Sequence, residues 1–158
     1  MNQGKLQPVS VPWAVSPSVA GLVLELAELG YTVVSFNVMI PPEIATEESS
    51  VENPRVAMTL RGGLCVRTHI AFPGDDITGA DWFEPDDRVG VSDTTAHDVE
   101  MERWLKTKRA PRPGVYEVVG SQWLVSEGMD RFDLRHVVIE ATEIWVEVLC
   151  KDWSWEWI

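Results

Sequence analysis

The feature that most restricts this chain is the alternation at its C-terminal end, which runs in two phases. Ile144, Val146, Val148 and Cys150 occupy even positions, whereas Trp153, Trp155 and Trp157 occupy odd ones. Successive side chains on a strand point to opposite faces, so a strict two-residue period cannot hold both sets on one side. Either a bulge or turn lies near Lys151-Asp152, or both faces are covered. Asp152, Ser154 and Glu156 alternate with the tryptophans, which predicts an extended segment with three indoles on one face and three polar groups on the other. So close to a terminus, such a strand frays unless its indole face is buried. A helix over residues 16–30, with its Val19-Leu22-Leu26 stripe, is the expected cover. The rival reading is an exposed aromatic ladder for a partner or an oligosaccharide.

Upstream, residues 134–141 and 144–150 read as a hairpin around Ala141-Thr142-Glu143. Residues 31–40 are rich in β-branched residues and apolar on both faces, which predicts a central strand ended by Pro41-Pro42. Residues 43–54, with Glu43, Glu47, Glu48 and Glu52, read as an exposed connection. Val56, Met58 and Leu60 share one face, as do Leu64, Val66, Ile70 and Phe72. A three-residue loop, Arg61-Gly62-Gly63, brings those two sets into agreement and predicts a hairpin. Residues 115–119 are a short strand, and 121–127 a short helix that starts at Gly120-Ser121.

Two longer helices are expected. The first starts near Ser16-Pro17-Ser18, where a cap and an early proline are favourable, and stops at Gly30. Its Val19, Leu22, Val23, Leu26 and Leu29 follow helical spacing. The second runs from Asp93 or Thr95 to Lys108, with Met101, Trp104 and Leu105 on its inner stripe, and ends at Pro111, Pro113 and Gly114. The fold class that follows is α+β, a mostly antiparallel sheet with two main helices packed on one face. At 158 residues the chain suits a single domain over 1–158, in which residues 1–15 form an irregular lead-in.

Charge narrows the function. Thirteen basic residues face twenty-five acidic ones, for a net charge of −12. Nucleic-acid affinity rests on Lys and Arg neutralising phosphates, so a nucleic-acid partner is excluded, and an anionic membrane is disfavoured for the same reason. Cations and basic protein surfaces are attracted and steered. Acidity also serves solubility without any partner. No secretory h-region follows Met1, and Glu25, Glu28 and Asn37 interrupt the apolar stretches, so the expected address is the cytoplasm. Cys65 and Cys150 permit one disulfide but do not make a disulfide scaffold.

Short catalytic signatures are missing: no G-x-G-x-x-G, Walker sequence, G-x-S-x-G, H-E-x-x-H or C-x-x-C occurs. No cofactor is implied. Cys65 and His69 share a strand face, but four residues at roughly 3.3 Å each set them about 13 Å apart, too far for a nucleophile and its base. Asp93 and His97 share a helix face and could offer two ligands to a metal, although an Asp at a helix start also serves as a cap. His136 reads as structural. The most unusual segment is the loop over residues 75–87, which gathers Asp75, Asp76, Asp81, Glu84, Asp86 and Asp87 around Trp82 and Phe83. Its spacing does not match an EF-hand. Aromatic anchors inside an acidic rim fit a protein-binding loop, against the plainer reading of a solvated acidic surface. From Asp75 to Glu102 there are ten acidic residues and one basic one, and from Arg103 to Arg112 five basic and none acidic. That asymmetry complements a helix dipole and requires no function.

Eight tryptophans against two tyrosines favour interfaces or sugar clefts as well as core. The leading expectation is therefore a non-catalytic acidic binding protein, of the immunity or inhibitor kind, that recognises a basic protein partner. The alternatives are a small carboxylate- or metal-dependent hydrolase using the 75–87 loop with His69 or His97, and a structural or homo-oligomeric subunit.

Overall fold

The computed structural model describes residues 4–16, 20–27, 30–47, 49–62, 65–70, 102, 104–106, 114–141 and 144–158. Among them ten strands form two antiparallel sheets. The first sheet has the order β1-β7-β8-β9-β6, from β1 (Lys5–Pro8), β7 (Val115–Val119), β8 (Arg135–Glu140), β9 (Ile144–Cys150) and β6 (Cys65–Ile70). The second has the order β10-β5-β4-β2, from β10 (Asp152–Trp157), β5 (Arg55–Arg61), β4 (Tyr31–Met39) and β2 (Ala14–Val15), and β3 (Val23–Ala27) also pairs with β4. One helix, α1 (Gln122–Ser126), and two short 3-10 turns complete the named elements. The α+β expectation with two main helices on one face is thus overturned: the sheets cover each other. Val34, Phe36, Val56, Met58 and Leu60 from one sheet and Val137, Ile139, Val146 and Val148 from the other form one buried cluster.

The largest correction concerns residues 16–30. Where a helix is expected, residues 23–27 form β3, paired antiparallel with β4 from Val23 opposite Ser35 to Ala27 opposite Tyr31. The segment satisfies two periods at once. Its helical stripe competes with the alternation of Leu22 and Leu24, which pack against the core, and the hydrogen-bonding edge of β4 decides for the strand. Leu26, a member of the expected stripe, is 70% exposed. Gly30 does not cap a helix; its φ of +77° turns the chain between β3 and β4. Of the second expected helix, residues 102 and 104–106 are helical, and Trp104 is buried. Residues 1–15 are no mere lead-in, since they hold β1 and β2 with Trp13 fully buried between them.

The expected hairpin over residues 56–72 is also replaced. β5 pairs with β4 and β10, and β6 pairs with β9. The chain passes from the second sheet to the first between β5 and β6, and back again at Lys151 between β9 and β10. The two crossings are flanked by the same strand partners, Arg61 with Asp152 in the second sheet and Cys65 with Leu149 in the first, as where strands switch sheets at a corner. Leu60 faces Trp153 and Val66 faces Val148, so six steps along one strand match five along the other. Gly62, at φ +64°, lies in that mismatch. The bend explains the double phase: Val146, Val148 and Cys150 enter the core from one sheet, while Trp153, Trp155 and Trp157 pack partly buried against it from the other. The cover of the tryptophans is not a helix. Trp13 meets Trp155 edge-on at 5.6 Å and Phe36 at 5.4 Å.

Other elements agree with the sequence. The strands at 31–39, 115–119, 135–140 and 144–150 form as expected, and Ser121 caps α1, its Oγ accepting Leu124 N–H at 3.2 Å.

Candidate functional site

The first sheet buries much of its outer face, along β7, β8 and β9, as well as its inner one. Leu6, Tyr116, Val118, Val138 and Trp145 form a second apolar cluster there. On that face β9 contributes its odd residues, Trp145, Glu147 and Leu149, and β8 its even ones, His136, Val138 and Glu140. Val138 lies opposite Glu147 and His136 opposite Leu149, while on the other flank Arg67 lies opposite Glu147 and His69 opposite Trp145. Glu147 is therefore central, with His136 and His69 as diagonal neighbours on the two adjacent strands, a separation that long side chains span.

They do span it. His136 Nε2 donates to Glu147 Oε1 at 2.8 Å, and His69 Nε2 donates to Glu147 Oε2. The Glu147 side chain has no exposure, nor has that of His136. A carboxylate taken wholly out of water is costly unless its oxygens are filled, and here each oxygen receives an imidazole N–H. On the far side of His136, Nδ1 meets Ser121 Oγ at 2.7 Å. With the His136 proton on Nε2, Nδ1 accepts the Ser121 hydroxyl, whose oxygen also takes the Leu124 amide. A continuous line of hydrogen bonds thus runs Ser121, His136, Glu147, His69.

The two ends differ. Ser121 is buried and committed to capping α1. Its bond goes to Nδ1 of a histidine whose Nε2 faces the carboxylate, the reverse of the arrangement in which a serine nucleophile is activated. His69, by contrast, has a side chain 49% exposed. With Nε2 bound to Glu147, its Nδ1 has no hydrogen-bond partner among the described residues, and in the neutral ring that nitrogen is the one with the lone pair. The rim around it is aromatic and cationic. Trp145 stands edge-on to His69 at 6.2 Å, Trp123 edge-on to His136 at 5.2 Å, and the Arg67 guanidinium lies 3.8 Å over the Trp123 ring.

This arrangement can hold a proton-accepting nitrogen at the surface with its tautomer and orientation fixed from behind. Among the described residues no group of three or more His, Cys, Asp or Glu side chains converges as metal ligands do. Of the residues singled out by sequence, the partner-binding set Asp75, Asp76, Asp81, Trp82, Phe83, Glu84, Asp86 and Asp87 lies outside the described residues, as do Asp93 and His97. Cys65 and His69 lie four residues apart on β6, as expected. His136 is structural in the sense that it is buried, but it belongs to the same array as His69. Glu147, Ser121 and Arg67 were not legible as a group. The pairing of β8 with β9 was expected and sets Glu147 near His136, but only the unforeseen pairing of β6 with β9 adds His69 and Arg67.

No protein-family model, curated protein or solved structure matches this chain. No helix among the described residues is long and apolar enough to cross a membrane.

Proposed function

We propose that the protein is a small acid–base catalyst in which His69 Nδ1 is the general base and Glu147 positions it. One observation carries the reading: two of the three histidines in the chain share a single, wholly buried carboxylate, and the side chain of one of those two, His69, is half exposed. A carboxylate behind an imidazole fixes which nitrogen bears the proton and stabilises the imidazolium formed on proton transfer. His136 and Ser121 extend the support and touch no substrate. The test is hydrolysis of activated esters by the full chain, comparing the parent with His69→Ala and Glu147→Gln. Turnover lost in His69→Ala, and in Glu147→Gln lowered about 100-fold with an altered pH profile, supports the reading. Equal turnover in parent and His69→Ala would refute it.

A second reading keeps the expectation of a basic protein partner, and the net charge of −12 favours it. It places recognition in the 75–87 loop. Neutralising Asp75, Asp76, Asp86 and Asp87 together should then slow association at low salt more than it speeds dissociation. An unchanged association rate would leave that loop a solvated surface. A cytoplasmic address belongs to the proposal too, supported by two thiols that remain free, Cys65 and Cys150.

A further inference from the structure

We infer that Arg67 seats the carboxylate of a small acidic substrate, holding an electrophilic carbonyl of the same molecule against His69; this rests on the general-base reading above. Arg67 and His69 are two residues apart on β6 and so project from the same face, about 7 Å apart along the strand. The Arg67 side chain is 43% exposed. Its guanidinium carbon lies 3.8 Å from the centroid of the Trp123 ring, a cation–π contact that holds the group in place. It forms a long, exposed ion pair with Glu127, whose Oε1 stands 3.7 Å away, beyond hydrogen-bond range. That oxygen already accepts Trp123 Nε1–H at 3.3 Å. Among the described residues, then, the guanidinium is oriented without being hydrogen-bonded. A planar fork in that state matches a carboxylate with two parallel N–H bonds.

The charge of the whole chain sharpens the class. A net charge of −12 opposes polyanions, so the anion that reaches Arg67 is small and carries few charges. With the carboxylate on Arg67, a carbonyl a few bonds away lies over His69. Water gives a proton to His69 Nδ1, and its oxygen bonds to the carbonyl carbon. The bond from that carbon to the leaving oxygen then breaks, and the alcohol departs with the proton from Nδ1.

The test uses two chromogenic esters of similar length, mono(4-nitrophenyl) glutarate and the uncharged 4-nitrophenyl butyrate, on the full chain. The KM for the glutarate ester should be about 10- to 100-fold lower, the range expected for hydrogen bonds to charged groups. Arg67→Gln should abolish that discrimination and Arg67→Lys should keep part of it, with folding of each variant checked by its thermal melt. Discrimination absent from the parent, or retained in Arg67→Gln, overturns the carboxylate seat and leaves His69 as the base. Turnover of both esters persisting in His69→Ala overturns the base instead. Glutarate itself supplies a readout free of turnover: it should shift the Trp123 indole resonance in the parent and not in Arg67→Gln. A resonance unmoved at millimolar glutarate would also overturn the seat.

Discussion

His136 donates its Nε2–H to Glu147 Oε1 across 2.8 Å, with neither side chain exposed to solvent. Replacing Glu147 by Ala strands two imidazole N–H groups, one of them wholly buried, and should cost about 3–5 kcal/mol. Glu147→Gln keeps an acceptor oxygen but places an NH2 against one of the imidazoles, and should cost about 1–3 kcal/mol. Urea unfolding with an unchanged m-value measures both. A Glu147→Ala variant as stable as the parent would show that the pair does not hold the outer face of the first sheet together.

Ser121 serves two partners through one oxygen, the Leu124 amide and His136 Nδ1. Ser121→Ala removes a helix cap and a buried hydrogen bond together, and should cost about 1–3 kcal/mol. Because Ser121 is not a nucleophile in this arrangement, ester turnover at His69 should survive in folded Ser121→Ala. Turnover abolished with stability intact would assign Ser121 a chemical role.

Trp155 is partly buried and packs on Trp13, with Trp157 edge-on at 5.2 Å on its other side. Trp155→Ala should cost about 2–4 kcal/mol, somewhat below the loss for a fully buried aromatic, and lower the melting temperature accordingly. Truncation after Cys150 also removes the pairing of β10 with β5 and uncovers the core behind Leu60, Met58 and Val56. The truncated chain should not unfold cooperatively. A soluble, cooperative product would return the tryptophan ladder to the rank of binding surface.

Cys150 lies in the core between the sheets, while Cys65 lies beside Leu149 on the outer face of the same sheet, so the two thiols do not meet. Burial, and then the negative charge of Glu117, pushes the Cys150 thiol up from 9.0 to about 12. Below pH 9 the thiol is neutral in both folded and unfolded chains, so stability there is independent of it. Between pH 9 and 12 the unfolded chain releases the proton and the folded chain does not, so stability falls as pH rises through that window. A thiol reagent at pH 8 should label Cys65 in the folded protein and reach Cys150 only on unfolding. Rapid labelling of both without denaturant would contradict this packing.

Gly30 tests the turn that replaced the expected helix end. No atom lies within 4 Å of where a Cβ would stand, so Gly30→Ala meets only the backbone cost of its φ of +77°. That cost is about 1 kcal/mol, and Gly30→Asn should recover part of it. A stabilising Gly30→Ala would mean that the turn is not left-handed.

The strands of residues 31–39, 115–119, 135–140 and 144–150 were legible because each carries its own signal, β-branched runs bounded by Pro, Gly or a short polar turn. Ser121 was legible as a helix start for the same local reason. Residues 22–27 were not, because Leu22, Leu24 and Leu26 fit an alternating strand as well as a helical stripe, and only the edge of β4 separates the two. The site was legible as fragments. His69, His136 and the β8–β9 hairpin could each be named, but Glu147 reads locally as one polar residue in an apolar strand.

By itself, then, the sequence determined that residues 31–39, 115–119, 135–140 and 144–150 extend, that the chain must change phase near Lys151, and that its surface is strongly acidic. These properties follow from side-chain alternation and charge, which are carried residue by residue. Tertiary structure decided that the phase change is a passage between two sheets, that residues 23–27 are a strand, and that His69 and His136 meet on Glu147. Those outcomes depend on which strands become neighbours. Neighbour choice is set by burying the inner face and much of the outer face of the first sheet and one face of the second at once, a condition on the whole chain that no local window contains.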